Sequence, residues 1–444
     1  MTHTAPSPVP RPGPPRTRRT STTPARASSI APTTGINRGP DSARRWDTPT
    51  RLRIATAVSV LAALLAAVLG WQAGERQAAA VGAVSTSSAR LVAVQEVHSS
   101  LVGADAIATN AFLVGGLEPP VDRERYTALV DQAAKGLATL SFADAVDTAH
   151  VAAATAHLAT YTGLVEQARA ANRQGFPVGA AYLDQASTLM RDHLLVEIDA
   201  LTGSGADHVA ADFDQVANTP WLLVAVLLGL AALLATQVWD SRRTHRILNP
   251  ALSGGVAVVV VAAALSPVLL GVTGTAGDVR TGSYRTALAV SQALSQAYDA
   301  RAMESFTLIR RGSGAAYEQA FGTAADETER QLARVGDGST NATAKLFTAW
   351  RAQHVTIRKL DDGGNWEGAV ALTGSTSTGS PAAAFDAFTT SASGVLKHAE
   401  TSTTDRLARA RTTAVGIGRM LAAAGLVAAG LSWLGLTKRL EEYR

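Results

Sequence analysis

The chain contains no cysteine, and this absence removes several kinds of chemistry from its 444 residues. Disulfide bonds, thiolate metal sites, iron–sulfur clusters and cysteine nucleophiles are all excluded. Any domain that lies outside a cell membrane must therefore be held together by packing alone.

Sequence motifs of enzymes are also missing. There is no HExxH zinc motif, no Walker loop and no GxSxG nucleophile elbow. The Gly-rich run at 271–277 follows an apolar stretch rather than a strand, so it predicts a loop and not a phosphate site. The nine histidines are scattered without the spacing of metal ligands. We therefore predict a protein that is not an enzyme and has no cofactor, no metal site and no nucleic-acid partner.

Charged residues make up only 17% of the chain, whereas apolar residues make up 47% and gather in four long runs. Each run reaches the roughly 20 residues that an α-helix needs to cross about 30 Å of hydrocarbon. A cleaved signal peptide is the alternative for the first run, but the segment before it is longer than a normal n-region. We predict four transmembrane helices at 53–71, 220–239, 251–273 and 413–436.

Basic residues flank these runs on one side only. Residues 1–53, 240–250 and 437–444 hold 16 of the chain's 40 Lys and Arg residues but only five of its 36 Asp and Glu residues. Basic flanks face the cytoplasm, so we predict a multi-pass protein of the cell membrane with both termini cytoplasmic. The residues that set this orientation are Arg51, Arg53, Arg242, Arg243, Arg246, Lys438 and Arg439.

The cytoplasmic parts are short or poor in apolar residues. The tail 1–52 is rich in Pro, Thr, Ser and Arg, which predicts disorder and attraction to anionic membrane lipids. Docking or phosphorylation of this tail is the alternative. Beyond the loop 240–250, only the tail 437–444 follows the last run, so we expect any output to need a partner protein.

The remaining segments, 72–219 and 274–412, are predicted to lie outside the membrane. Leu91, Val94 and Leu101 fall at three- and seven-residue steps, the pattern of a helical seam. Both segments indicate bundles of helices. The predicted fold class is an all-α membrane protein with four transmembrane helices and two tandem extracytoplasmic helical bundles.

The two outside segments repeat the same order of helices and turns. Tyr161 lies fourteen residues before Gly175 in the first, and Trp350 lies fourteen residues before Gly364 in the second. We interpret this as an internal duplication of a unit that consists of a span, a bundle and a second span.

Cationic and polar side chains of the outside segments are the candidates for contact with an anionic ligand or a partner. The region "NRQGFPVGAAYLDQASTLMRDHLL" is favoured because it joins two long helices and combines polar with aromatic groups. A solvated surface is the alternative for each residue. The candidates are Asn172, Arg173, Arg191, Arg310 and Arg311.

The layout resembles the actinobacterial GlnX-type four-span membrane proteins, and the bundles are similar in layout to the four-helix sensor domains of bacterial chemoreceptors. The resemblance rests on the order of spans and bundles and on the turns "NRQGFPVGAAYL" and "DDGGNWEGAVAL". It implies an extracytoplasmic lipoprotein that binds acidic amino acids as one partner, and protein kinase G as the cytoplasmic recipient.

These observations favour a non-enzymatic transmembrane signalling protein. Such a protein would sense an extracytoplasmic ligand or a solute-binding lipoprotein and report to a cytoplasmic partner such as a protein kinase. A structural scaffold of the cell envelope is the alternative, and a transporter is the third hypothesis. A homodimer is left open.

Overall fold

The computed structural model describes residues 48–114, 118–140, 145–174, 178–218, 250–375 and 377–441, with isolated positions between 219 and 249. Every element in these ranges is a helix, so the predicted helical fold class is confirmed. A π-helical turn, Met190–Leu194, joins two of the α-helices. In chain order the α-helices are α1 (Thr48–Val114), α2 (Pro120–Leu140), α3 (Ala145–Arg173), α4 (Val178–Leu189), α5 (Leu195–Asn218), α6 (Pro250–Thr281), α7 (Ser283–Ile309), α8 (Ala315–Ala333), α9 (Gly338–Asp362), α10 (Trp366–Thr373) and α11 (Pro381–Glu441).

Helices extend into two of the predicted cytoplasmic tails. α1 begins at Thr48, inside the predicted tail 1–52, and α11 continues to Glu441, inside the predicted tail 437–444. Adding a residue to an existing helix costs little once the first turn has formed. Residues 1–47 lie outside the described residues.

Three stretches of the described helices are long and apolar enough to cross a membrane: they lie within Thr56–Leu113, Val260–Ile309 and Pro381–Gly435. The fourth predicted span, 220–239, falls largely outside the described residues. Large apolar side chains that are exposed occur almost entirely in the four predicted spans. Within the described part, the exceptions are Val121, Val178, Val196 and Val355. These apolar belts are compatible with a membrane protein.

The residues predicted to set the orientation are described only in part. Arg53 and Arg242 are exposed. Arg51, Lys438 and Arg439 lie in α1 and α11, whereas Arg243 and Arg246 lie outside the described residues. The orientation itself stays a prediction.

α1 and α11 cross with their backbones in contact close to the predicted outer membrane boundary. A Cβ atom added to Gly74 would lie 2.5 Å from the Gly418 Cα and 2.7 Å from the Ala414 carbonyl oxygen. Nearby, the buried Gln77 Nε2 donates hydrogen bonds to the Leu269 carbonyl oxygen at 2.8 Å and to the Thr273 hydroxyl at 3.0 Å. α1, α6 and α11 are therefore joined where they leave the predicted membrane region.

The two predicted outside bundles share one hydrophobic core. Leu101 and Tyr161 from the first segment and Phe306 and Trp350 from the second belong to the same cluster of buried side chains. α1 packs against α2 and α5 of its own segment and against α7 and α11 of the other. The packing therefore unites the two segments around one core, and the division into two tandem bundles is not confirmed.

Candidate functional site

A cleft of about 480 Å³ opens between α1, α2, α7 and α11. Because α2 belongs to the first outside segment and α7 and α11 to the second, the cleft lies between the two segments. Its lining combines apolar side chains such as Ile107 and Phe385 with a set of polar groups. The polar residues of the lining are Asn110, Asp122, Arg125, Tyr298, Arg301, Asp386, Thr389 and Thr390.

Two side chains of the cleft, Asn110 and Asp122, carry oxygen acceptors, the first buried and the second half-buried. The Asn110 Oδ1 is buried and accepts no hydrogen bond. Asp122 forms no ion pair with a described residue, and burial raises the pKa of its carboxyl group, as does the charge of Asp386, while Arg125 and Arg301 lower it. A buried acceptor without a donor is costly, so the Asn110 Oδ1 favours a ligand that brings an N–H group, and the Asp122 carboxylate adds a negative charge to the same cleft.

The cationic groups of the cleft hold its walls together. The Arg125 Nη2 lies 3.2 Å from the Asp386 Oδ2, which ties α2 to α11. Both side chains are about half exposed (52% and 51%), so this pair contributes only about 0–1 kcal/mol and can exchange with a ligand carboxylate. Arg301 is buried, and its Nη1 donates to the Glu304 Oε1 at 2.9 Å. The cleft thus presents both signs of charge to a small molecule.

Two of the sequence candidates, Asn172 and Arg173, line a second cavity of about 270 Å³ inside the first segment. Arg169 in the same lining is paired with Glu118 at 2.8 Å and with Glu166 at 2.7 Å. Arg173 is exposed and forms no ion pair with a described residue. Arg173 is therefore the cation of this cavity that is left for a ligand.

Arg191, the third candidate, belongs to a buried polar network on the π-helical turn. The fully buried Asp105 of α1 accepts hydrogen bonds from the Ser187 hydroxyl at 2.7 Å and from the Tyr161 hydroxyl at 3.2 Å. The Arg191 Nη1 lies 3.9 Å from the Asp105 Oδ2. π-helical turns occur frequently at functional sites, because one extra residue redirects the side chains. Here the turn directs Arg191 towards α1.

Asp299 of α7 faces the same network from the second segment. Burial raises the pKa of its carboxyl group to about 6, the Arg191 guanidinium opposes the change, and the Asp105 carboxylate adds to it. A carboxyl group whose pKa is raised in the folded state stabilises the protein below its unfolded pKa, and this contribution is lost as the pH rises through about 6. Asp299 therefore costs stability at neutral pH.

Asp299→Asn should raise the free energy of unfolding at pH 7.5, by up to about 3 kcal/mol since one pKa unit corresponds to 1.36 kcal/mol. This gain in stability over the wild type should shrink as the pH falls to 4, where the wild-type carboxyl group is protonated. Thermal unfolding of both proteins in detergent micelles between pH 7.5 and pH 4 measures the difference. Asp207→Asn, at an exposed position of α5, is the matched control and should change neither the free energy of unfolding nor its dependence on pH. A loss of stability in Asp299→Asn at pH 7.5 would contradict the prediction.

The last two candidates, Arg310 and Arg311, hold the distal ends of helices together. The Arg310 Nη2 lies 2.7 Å from the Asp184 Oδ2, which joins the end of α7 to α4. The Arg311 guanidinium stacks 3.6 Å from the centre of the Trp366 ring. The structure therefore spreads the five candidates over a cavity, a buried network and two helix contacts, and their role in binding stays a prediction.

Residues 80–214 match the family model of the Actinobacterial sensor domain. The match supports an actinobacterial sensor protein. It covers the outer part of α1, all of α2 to α4 and most of α5, so it includes Asn110, Asp122 and Arg125 of the cleft and the network around Asp105. No curated protein and no solved structure matches the chain.

Proposed function

We propose that the protein is a non-enzymatic transmembrane sensor, in which occupation of the cleft outside the membrane changes the positions of the membrane-spanning helices. In this proposal the chain crosses the membrane four times with both termini in the cytoplasm. The clustering of basic residues beside the apolar runs supports this arrangement.

The observation that carries the proposal is the continuity of the helices that form the cleft. α1 has 67 residues and α11 has 61, and each runs without a break from the cleft to an apolar stretch suited to a membrane. About 50 Å of helix separates the cleft from the Gly74–Gly418 crossing at 1.5 Å per residue. A ligand that shifts one wall by about 1–2 Å would move the attached span by a similar amount.

The chemistry of the cleft suits a small zwitterion such as an amino acid. A ligand carboxylate can take the place of Asp386 on Arg125, and a ligand ammonium can donate to the carboxylate of Asp122 and to the Asn110 Oδ1. The apolar ring of Phe385 and the side chain of Ile107 would contact the ligand's carbon atoms. Polar groups that converge beside apolar side chains in a cleft are typical of small-molecule sites.

The partners belong to the proposal as well. The resemblance to GlnX-type proteins favours delivery of the ligand by an extracytoplasmic amino-acid-binding lipoprotein and a protein kinase as the cytoplasmic recipient. Affinity purification of the intact protein from its own cells should recover one or both. Recovery of envelope structural proteins alone would favour the scaffold hypothesis instead.

We further propose that the two outside segments arose by internal duplication. Tyr161 in α3 and Trp350 in α9 occupy the corresponding helices of the two segments, and both are fully buried. Large aromatic residues that anchor matching helices support a repeated packing unit.

Asp122→Asn should weaken binding of a zwitterion about tenfold or more, because it removes the carboxylate that would hold the ammonium group. The experiment uses the full-length protein in nanodiscs and screens single amino acids by the rise in Tm that binding causes. Asp131→Asn, at an exposed position of the same helix, is the matched control and should bind as the wild type does. Equal affinity of the two variants for the amino acid would exclude the cleft as its binding site.

The absence of cysteine allows the movement of the spans to be measured directly. Cysteines introduced for spin labels at Leu65 and Leu426, which are exposed on α1 and α11, would be the only thiols. The ligand found in the screen should shift the distance distribution by about 1–2 Å. Binding without any shift would separate ligand capture from signalling and would contradict the sensor proposal.

A further inference from the structure

A third cavity lies between the cleft and the membrane, and nothing in the proposed sensing mechanism uses it. It measures about 240 Å³, is open on one side and is lined by α1, α7 and α11. Its polar lining consists of oxygen-bearing side chains: Ser85, Ser88, Glu96, Tyr284, Glu400, and the threonines 403 and 404. There is no basic side chain in this lining.

Two of the lining atoms are buried and lack a partner. Ser88 is only 3% exposed, and its hydroxyl oxygen forms no hydrogen bond. The Glu400 Oε1 is also buried without a hydrogen-bond partner. Native proteins rarely leave such oxygens unsatisfied, so these two atoms point to a group that is bound in the cavity.

We propose that this cavity binds a divalent metal cation such as Ca²⁺ or Mg²⁺, held by the carboxylates of Glu96 and Glu400. Hydroxyl groups and water would complete the oxygen coordination that these ions prefer. Among the described residues no group of three or more acidic, histidine or cysteine side chains is arranged to hold a metal ion, so the protein would supply two carboxylates here and the ion would keep part of its water shell.

The electrostatics of the cavity agree with this assignment. Burial and then the charge of Glu96 raise the pKa of Glu400 to about 7, and Lys397 of α11 only partly opposes the change. Burial also raises the pKa of Glu96. Two carboxylates that share a small cavity repel one another, and a divalent cation offsets both charges.

The position of the site gives the ion a structural consequence. Glu96 lies on α1 and Glu400 on α11, the two long helices that continue from the cleft to the membrane. A bound cation would fasten these helices to each other between the cleft and the Gly74–Gly418 crossing. This inference does not depend on the cleft binding a ligand.

The test uses the full-length protein in nanodiscs of zwitterionic lipid. Tb³⁺ in the cavity should give luminescence when tyrosine is excited, because Tyr284 lines the site, and Ca²⁺ should displace it. Ca²⁺ should also raise the Tm of the wild type by binding the folded state. Glu96→Gln and Glu400→Gln should each weaken Ca²⁺ binding about tenfold or more, since affinity depends on the number of charged ligands.

Two variants separate the site from other sources of signal. Glu367→Gln, at an exposed position of α10, should retain the wild-type Ca²⁺ response. Tyr284→Phe should lose luminescence but keep the rise in Tm. An unchanged Ca²⁺ response in Glu96→Gln or Glu400→Gln, or no response in the wild type, would overturn the proposal. A rise in Tm with polyamines but not with Ca²⁺ or Mg²⁺ would overturn it also, in favour of an organic cation.

Discussion

Gly74→Val should lower the free energy of unfolding by about 3 kcal/mol or more, because the new side chain meets backbone atoms of α11 that have no room to move. Even the first carbon of the side chain would come within 2.5 Å of the Gly418 Cα and 2.7 Å of the Ala414 carbonyl oxygen. α1 and α11 would have to separate at their closest point. Thermal unfolding in detergent micelles, monitored by circular dichroism, measures the loss.

Gly416→Val is the matched control for this substitution. Gly416 lies two residues before Gly418 in α11, but a Cβ atom at this position meets nothing within 4 Å. Its Tm should stay close to that of the wild type. An equal loss in both variants would mean that Val is harmful to these helices in general and that the crossing has no special role.

The crossing also bears on signalling, because helices in lipid pack closely only where small residues meet. Gly70 and Gly74 are four residues apart on α1; Gly74 faces Gly418 of α11, and Gly70 faces Leu421 one turn further along α11. A ligand-dependent movement of α1 against α11 must therefore preserve this contact, as a pivot does, or slide along the small residues. In both cases the contact between α1 and α11 limits how far the membrane-spanning parts of these helices can move against each other.

The helical class and the apolar runs could be predicted from the sequence. Long apolar runs indicated the spans, and Gly- and Pro-containing turns marked the ends of the outer helices. α7, for example, ends at Ile309, directly before the turn "RRGSG". These features are local, because a helix depends on residues three and four positions apart and a turn on a few neighbours.

The cleft could not be predicted in the same way, because its walls come from distant parts of the chain. Arg125 and Asp386 are 261 residues apart in sequence, and no periodicity indicates that α2 faces α11. Four of the five sequence candidates were chosen as cations for an anionic ligand, so the oxygens of Asn110 and Asp122 were missed. The four-residue step from Gly70 to Gly74 was a signal that could have identified the close approach of α1 to another helix.

Buried charges were missed for a related reason. Glu304 of α7 is fully buried, although a carboxylate in a sequence suggests an exposed surface. It has two partners: Arg301, which lies three residues before it on α7, and His354, which lies on α9. Only the packing of α7 against α9 brings the three together.

Glu304→Gln should cost about 3–5 kcal/mol of stability, the usual effect of removing one partner from a buried ion pair. The Glu304 carboxylate accepts from the Arg301 Nη1 at 2.9 Å and lies 2.9 Å from the His354 Nδ1. Both partners are themselves buried, so the substitution leaves Arg301 without its carboxylate and leaves His354 with Glu318 alone. Asp214→Asn, which breaks the exposed pair with Arg280, is the control and should cost about 0–1 kcal/mol.

The pH dependence of stability distinguishes loss of this charge network from loss of packing. Burial lowers the pKa of His354, but hydrogen bonds and charges of Glu304 and Glu318 outweigh that effect and raise it above 6.5. The protonated imidazole therefore stabilises the fold fully below pH 6.5, and this contribution is lost as the pH rises through the folded pKa. In Glu304→Gln this decline should be weaker than in the wild type. A parallel pH profile would mean that Glu304 acts through its shape and not through its charge on His354.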